Sequence, residues 1–263
     1  MDDRPKENAP DGGPTLLIHA PRTYVRSFVR SFVRSFVRQP ACLAAAALST
    51  EWRPLACTVT IIEMAMTGSA STQRFTEAEY LALERVSETK HEYAQGAIVS
   101  MAGAKPPHNV LAANVTIALG ALVRGKDCVV MTSDQRVHVP TTGLYAYPDL
   151  TVACGERRYK DTTPPSLLNP TILIEVTSDS TEDYDRGTKF LHYQGLSSLR
   201  EYVIVSHRER RIDHHRRLDS GQWLSTTYAG DDAVIDLPSL GGSFRLADVY
   251  EKVDLDEGRA AAL

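Results

Sequence analysis

The chain has 263 residues, 43% of them hydrophobic and 24% charged, with a formal net charge of −4, an ordinary globular composition with room for one or two domains and a sizeable core. Residues 64–263 hold 21 Lys and Arg against 27 Asp and Glu, or −6. That balance excludes tight non-specific DNA binding driven by overall positive charge, so any nucleic-acid contact has to be local.

Residues 1–14, rich in Pro, Gly and Asp, read as a disordered tail. Val25-Arg26-Ser27-Phe28 then repeats in tandem to Arg38, and a four-residue repeat drifts around a helix by roughly 40° each time, leaving only a loose amphipathic face. Gly12 to Thr50 contains no acidic residue, which resembles a transit peptide or a signal peptide with an overlong basic front. The apolar run Ala41 to Leu48 is too short to span a bilayer, and no membrane partner is expected. The preferred reading is upstream sequence translated from an early start codon: residues 1–63 form an extension, and 64–263 a single folded domain. Cys42, Cys57, Cys128 and Cys154 show no metal or redox spacing and read as small hydrophobes of a reducing cytoplasm.

The folded body opens on a capping box, Thr76 with Glu79, and on Phe75 and Tyr80 as a hydrophobic staple. His91-Glu92-Tyr93 and Ala97 to Met101 flank the Gln95-Gly96 turn as a hairpin. His108 to Arg124 is the longest helical pattern, ended by Gly125; His108 at its start suits a phosphate contact or, equally, a capping or packing role. Strands are expected at Cys128 to Met131, Gln135 to Val139, Leu150 to Ala153, Thr171 to Val176 and Glu201 to Val205, with outer strands at Arg211 to Leu218 and Trp223 to Tyr228. Gly155 to Asn169 reads as a long polar loop, and Leu246 to Tyr250 as a closing helix. The arginines from Arg208 to Arg217 read either as a solvated hairpin or as the local DNA contact.

Chemistry concentrates between Tyr147 and Tyr193. Asp149 opens one buried apolar strand and Glu175 lies inside another, where a carboxylate is costly without a partner. Neighbouring strands would bring the two together, and a hard divalent cation is a suitable partner because it takes oxygen ligands. A structural ion pair with Lys189 is the alternative. Ser178 to Thr181 supplies helix-start residues, and the helix that follows carries Asp185, Lys189 and Tyr193 at i, i+4 spacing on one face. A lysine beside two metal-binding carboxylates points to phosphodiester hydrolysis.

The ordered set Pro148-Asp149, Ile174-Glu175-Val176, Tyr184-Asp185-Arg186-Gly187, Lys189-Phe190 and Tyr193, with Lys90-His91-Glu92-Tyr93 upstream, resembles the PD-(D/E)xK nuclease superfamily. Within it, the set is similar to a restriction-endonuclease-like family formerly classed as a domain of unknown function, from about Phe75 to Val253. The resemblance implies an α+β fold with a mixed central β-sheet flanked by helices and additional outer antiparallel strands. It also implies a cytoplasmic Mg²⁺- or Mn²⁺-dependent DNA endonuclease linked to restriction, repair or mobile elements. Asp149, Glu175 and the Val176 carbonyl would hold the metal, and Glu92 would complete the site. The superfamily's usual lysine position falls on Thr177, so Lys189 stands in for it. Glu92 read by itself also suits a surface salt bridge to Lys90 or Arg124. DNA is the expected partner and a homodimer is expected by resemblance. The alternative is a catalytically inactive DNA-binding or interaction module on the same fold.

Overall fold

The computed structural model describes residues 73–101, 103–160 and 162–255; the extension at 1–63, with its tail and repeat, lies outside the described residues. Helix α1 (Glu77–Val86) begins where its cap predicts: the Glu79 amide donates to Thr76 Oγ1 at 3.2 Å and the Thr76 amide to Glu79 Oε2 at 2.7 Å. Phe75 packs against the cluster that buries Tyr80. Strands β1 (His91–Ala94) and β2 (Ala97–Ser100) form an antiparallel hairpin. Gln95 and Gly96 at its turn have φ of 50° and 89°, the paired positive dihedrals of a primed two-residue turn. A Cβ at Gly96 would stand 3.1 Å from Arg74 Cβ, a second reason for glycine there.

Helix α2 (Pro106–Val123) follows, with proline in its first turn, where a missing amide costs nothing, and Gly125 at φ 75° just past its end. The strands then come in order: β3 (Cys128–Thr132), β4 (Val137–Val139), β5 (Leu144–Ala146), β6 (Leu150–Cys154), β7 (Tyr159–Lys160), β8 (Ser166–Leu167) and β9 (Ile172–Val176). A helical segment is made of α3 (Glu182–Tyr184), a π-helical stretch (Asp185–Lys189) and α4 (Phe190–Tyr193). The chain continues through β10 (Glu201–Val205), β11 (Arg211–Arg217), β12 (Trp223–Ala229), the hairpin β13 (Val234–Leu237) and β14 (Gly242–Arg245), and α5 (Leu246–Val249).

The central sheet has the order β12-β11-β10-β9-β6-β3, with β9 and β10 parallel and the other pairs antiparallel. Its middle strands are buried on both faces, which is why they read as continuous apolar runs. Val152, Ile172, Ile174, Val176, Val203 and Val205 pack on one face with Leu111, Val115 and Leu119 of α2. Ala153, Leu173, Tyr202 and Ile204 pack on the other with Tyr193, Leu196 and the second sheet. Each such side chain contributes about 1.5–3 kcal/mol by leaving water, so the two layers dominate the stability of this mixed α+β fold.

Three sequence expectations need correction. The polar segment from Gly155 to Asn169 is not a plain loop: it contributes β7 and β8 to a second six-stranded sheet, β2-β1-β5-β4-β8-β7. Two-residue strands lack a periodic signal, and β8 is identified by its pairing, parallel with β4 and antiparallel with β7. Cys128 and Cys154 are not independent hydrophobes but a disulfide. They lie directly opposite one another on β3 and β6, a proximity that follows from strand register and leaves no trace in their spacing. Finally, the helix expected after Thr181 is interrupted by the π-helical stretch that carries Asp185 and Lys189. Among the described residues no helix is long and apolar enough to cross a membrane.

Candidate active site

Strand alternation sets the position of Glu175. Ile174 and Val176 enter the core with α2, and Glu175 between them points to the opposite face, as successive strand residues must. There the Tyr193 hydroxyl donates to Glu175 Oε1 at 3.0 Å, and Lys189 Nζ stands 2.9 Å from the same oxygen. Lys189 Nζ is also 3.0 Å from Glu92 Oε1 on β1 and 3.5 Å from Asp185 Oδ1 one turn earlier. The Tyr184 ring lies 5.7 Å from the ammonium. Lys189 is 5% exposed and Glu175 3%, so these are ion pairs with little solvent screening. The segment that delivers Lys189 is π-helical, a geometry found mostly as single turns at functional sites.

Asp149 immediately precedes the neighbouring strand, β6. β6 and β9 pair antiparallel with Leu150 opposite Ile174, so one further step of that register sets Asp149 against Glu175. Asp149 Oδ2 accepts from the Val176 amide at 2.7 Å and is 3.3 Å from His108 Nε2 at the start of α2. Lys189 is not its partner. The pairing of His108 with Asp149 is invisible in the sequence, where 41 residues separate the two and no spacing links them.

The electrostatics follow from crowding. Burial pushes the Glu175 carboxyl well above the usual carboxylate range against the pull of Lys189, with Asp185, Asp149 and Glu92 adding to the rise. Burial likewise pushes Asp185 up to about 6. Burial opposes the Lys189 ammonium, but Glu175, Glu92 and Asp185 outweigh it and hold the lysine charged. His108 is also raised: burial lowers it, but the Asp149 bond and charge and the Val176 backbone prevail.

A pH test follows for Asp185. Its folded pKa lies above the ordinary aspartate value of 3.8, so its contribution to stability is full below about 4 and is lost as pH rises through about 6. Asp185→Asn mimics the protonated form at every pH. The variant should melt above wild type at pH 7, with the difference closing toward pH 4. A difference independent of pH would dissociate Asp185 from this titration.

Of the residues singled out from sequence, Glu92, Glu175 and Lys189 thus meet directly, and Asp149 joins them through the strand end it shares with Val176. Glu92 makes neither surface bridge considered for it: Lys90 pairs with Asp134, and the Tyr147 amide donates to Glu92 Oε1 at 3.2 Å. Asp185 carries no assigned role in the sequence reading; its i, i+4 spacing to Lys189 is the signal that could have given it one. Thr177 is buried and pairs with His207 at 2.7 Å. His138 contacts the Leu144 carbonyl instead of this cluster. Among the described residues no group of three or more His, Cys, Asp or Glu has metal-holding spacing. Asp149 Oδ2 is engaged by the Val176 amide and by His108, and Glu175 Oε1 by Lys189 and Tyr193.

A central mixed sheet flanked by helices, with extra antiparallel strands, matches the restriction-endonuclease-like class of fold. The chain belongs to the Uma2 family, described as "Putative restriction endonuclease", whose model matches residues 77–248. Two similar proteins come from Synechocystis sp. (strain ATCC 27184 / PCC 6803 / Kazusa). The uncharacterized protein slr1290 is 34% identical over 182 residues, covering 69% of this chain and 94% of that one. The uncharacterized protein sll1609 is 32% identical over 167 residues, covering 64% and 94%. Among solved structures, a putative nuclease belonging to DUF820 from Anabaena variabilis ATCC 29413 superposes with a TM-score of 0.56 at 16% identity, over 67% of this chain and 98% of that one. That likeness concerns the fold alone.

Proposed function

We propose that this chain is a metal-dependent endonuclease that hydrolyses DNA phosphodiester bonds. The observation behind this reading is Lys189, a buried ammonium held between Glu92 and Glu175 beside the strand end where Asp149 meets Val176. Asp149, Glu175 and the Val176 carbonyl are the residues to hold Mg²⁺ or Mn²⁺. All three are oxygen donors, and the carboxylates of the cluster outnumber its cations. When bound, the ion supplies positive charge to the phosphate and lowers the pKa of a water molecule.

The chain's own residues do the rest. Lys189, kept charged by its carboxylates, orients the attacking water or binds a phosphate oxygen where charge develops. Glu92 steadies Lys189 from β1, and the Tyr193 hydroxyl fixes the Glu175 carboxylate. His108 holds Asp149 from α2. A second reading, a DNA-binding or interaction module without catalysis, draws on one specific observation: Lys189 and Tyr193 already satisfy Glu175 Oε1, as in a closed structural ion pair.

Plasmid nicking separates the two. The purified chain should convert supercoiled plasmid to nicked or linear forms with Mg²⁺ or Mn²⁺, and a chelator should stop it. Salt-dependent DNA binding without cleavage under either ion would replace the enzyme with the binding module.

A further inference from the structure

The arginines of the β10–β12 edge divide into two groups. Arg208 pairs with Asp179 and Glu182, Arg210 with Asp231, and Arg211 with Asp213 and Glu209, so this part of the basic stretch is neutralised within the protein. Arg200, Arg216 and Arg217 make no ion pair among the described residues, yet all three line one cleft of about 430 Å³, together with Thr171, Ser239 and a single carboxylate, Asp219.

Strand register explains the convergence. Thr171 precedes β9, Arg200 precedes β10, and Arg216 and Arg217 end β11; the Arg217 amide donates to the Arg200 carbonyl at 2.8 Å. The three arginines therefore lie at one end of the central sheet, Arg216 and Arg217 alternating across it as successive strand residues. Glu175 lies four residues along β9 from Thr171, roughly 13 Å away at 3.3 Å per residue, so the cleft is distinct from the carboxylate cluster. Arg217 is held in place: it donates to the Leu196 and Gln194 carbonyls and stacks 4.7 Å from the Trp223 ring centre. Its Nε is buried without a hydrogen-bond partner. Burial, and then the charge of Arg200, lower its pKa from the usual arginine value.

We propose that the Arg200–Arg216–Arg217 cleft is a phosphate-binding site. Three arginines line the cleft against Asp219, and Glu201, opposite Arg216 in the strand register, is already engaged by the Ser239 amide and His214, so arginines outnumber carboxylates here on a body that is otherwise acidic. Guanidinium forks match phosphate oxygens two at a time, and a phosphate, whether a monoester or a backbone phosphodiester, offers such oxygens to more than one arginine at once. The two sources share the same chemistry and differ in size. The backbone of a nucleic acid is consistent with the endonuclease reading and deepens it; a free phosphate ester is independent of it.

The test uses the full chain, wild type and an Arg200→Ala/Arg216→Ala double variant, with Arg200→Glu as a second, exposed-site variant. Arg217 is left intact because it supports two backbone carbonyls. Each protein is melted with and without inorganic phosphate, and separately titrated with a short fluorescent DNA duplex at salt concentrations between about 50 and 200 mM without divalent ions. Phosphate should raise the wild-type Tm and leave that of both variants unchanged. If the backbone is the ligand, duplex affinity also falls in the variants, and the slope of log K against log salt becomes shallower by about 0.9 for each phosphate no longer neutralised. An abolished phosphate response with an unchanged duplex slope assigns the cleft to a small phosphate ester. Variants equal to wild type in both titrations overturn the proposal. Neither titration involves hydrolysis, so a chain that fails to cleave DNA still reports on the cleft.

Discussion

Lys189→Ala is expected to lower metal-dependent plasmid cleavage by roughly two to three orders of magnitude, the usual effect of losing one positioned donor at developing charge. The same change should also destabilise the fold. Lys189 is buried and its Nζ meets Glu92, Glu175 and Asp185; without it three carboxylates face one another, and removing one partner of a buried ion pair costs about 3–5 kcal/mol. Activity must therefore be compared at a temperature where circular dichroism shows both proteins folded. Lys189→Met, which keeps most of the side-chain volume, separates the effect of charge from that of packing. Wild-type cleavage by Lys189→Ala would remove the lysine from the chemistry while leaving the proposed roles of Asp149 and Glu175 standing.

Mg²⁺ or Mn²⁺ should stabilise the wild-type protein through Asp149 and Glu175. A ligand at a hundredfold excess over its Kd adds about 2.7 kcal/mol, which for a domain of this size raises Tm by roughly 5–10 °C. Asp149→Ala and Glu175→Ala should each abolish the rise. A flat wild-type response to millimolar concentrations of both ions, or an undiminished rise in the two variants, would remove the metal from this site.

Much of this arrangement is legible in the residues because the relevant signals are local. The Thr76–Glu79 capping box, the Gln95-Gly96 turn and the apolar strands carrying Asp149 and Glu175 each declare themselves within a few positions. The parts that are not legible depend on distant pairing. His108 meets Asp149 only once α2 packs against the end of β6, and Cys128 meets Cys154 only once β3 and β6 are in register. The lysine is intermediate. Its identity and its i, i+4 relation to Asp185 are in the sequence, but the π-helical backbone that carries it is not, because no residue preference distinguishes such a turn from an ordinary helix. β7 and β8 are silent in the sequence because two residues cannot show a period.

The parallel pairing of β9 with β10 has a consequence for how the protein acquires its site during folding. Parallel neighbours cannot be joined by a tight turn, so the chain must leave the sheet after Val176 and return at Glu201 by a crossover. The segment making that excursion is the one that holds Asp185, Lys189 and Tyr193. Closing the centre of the sheet and bringing the lysine over Glu175 are therefore one topological event. The docking step that completes the hydrophobic layers is also the one that seats the ammonium against Glu92 and Glu175.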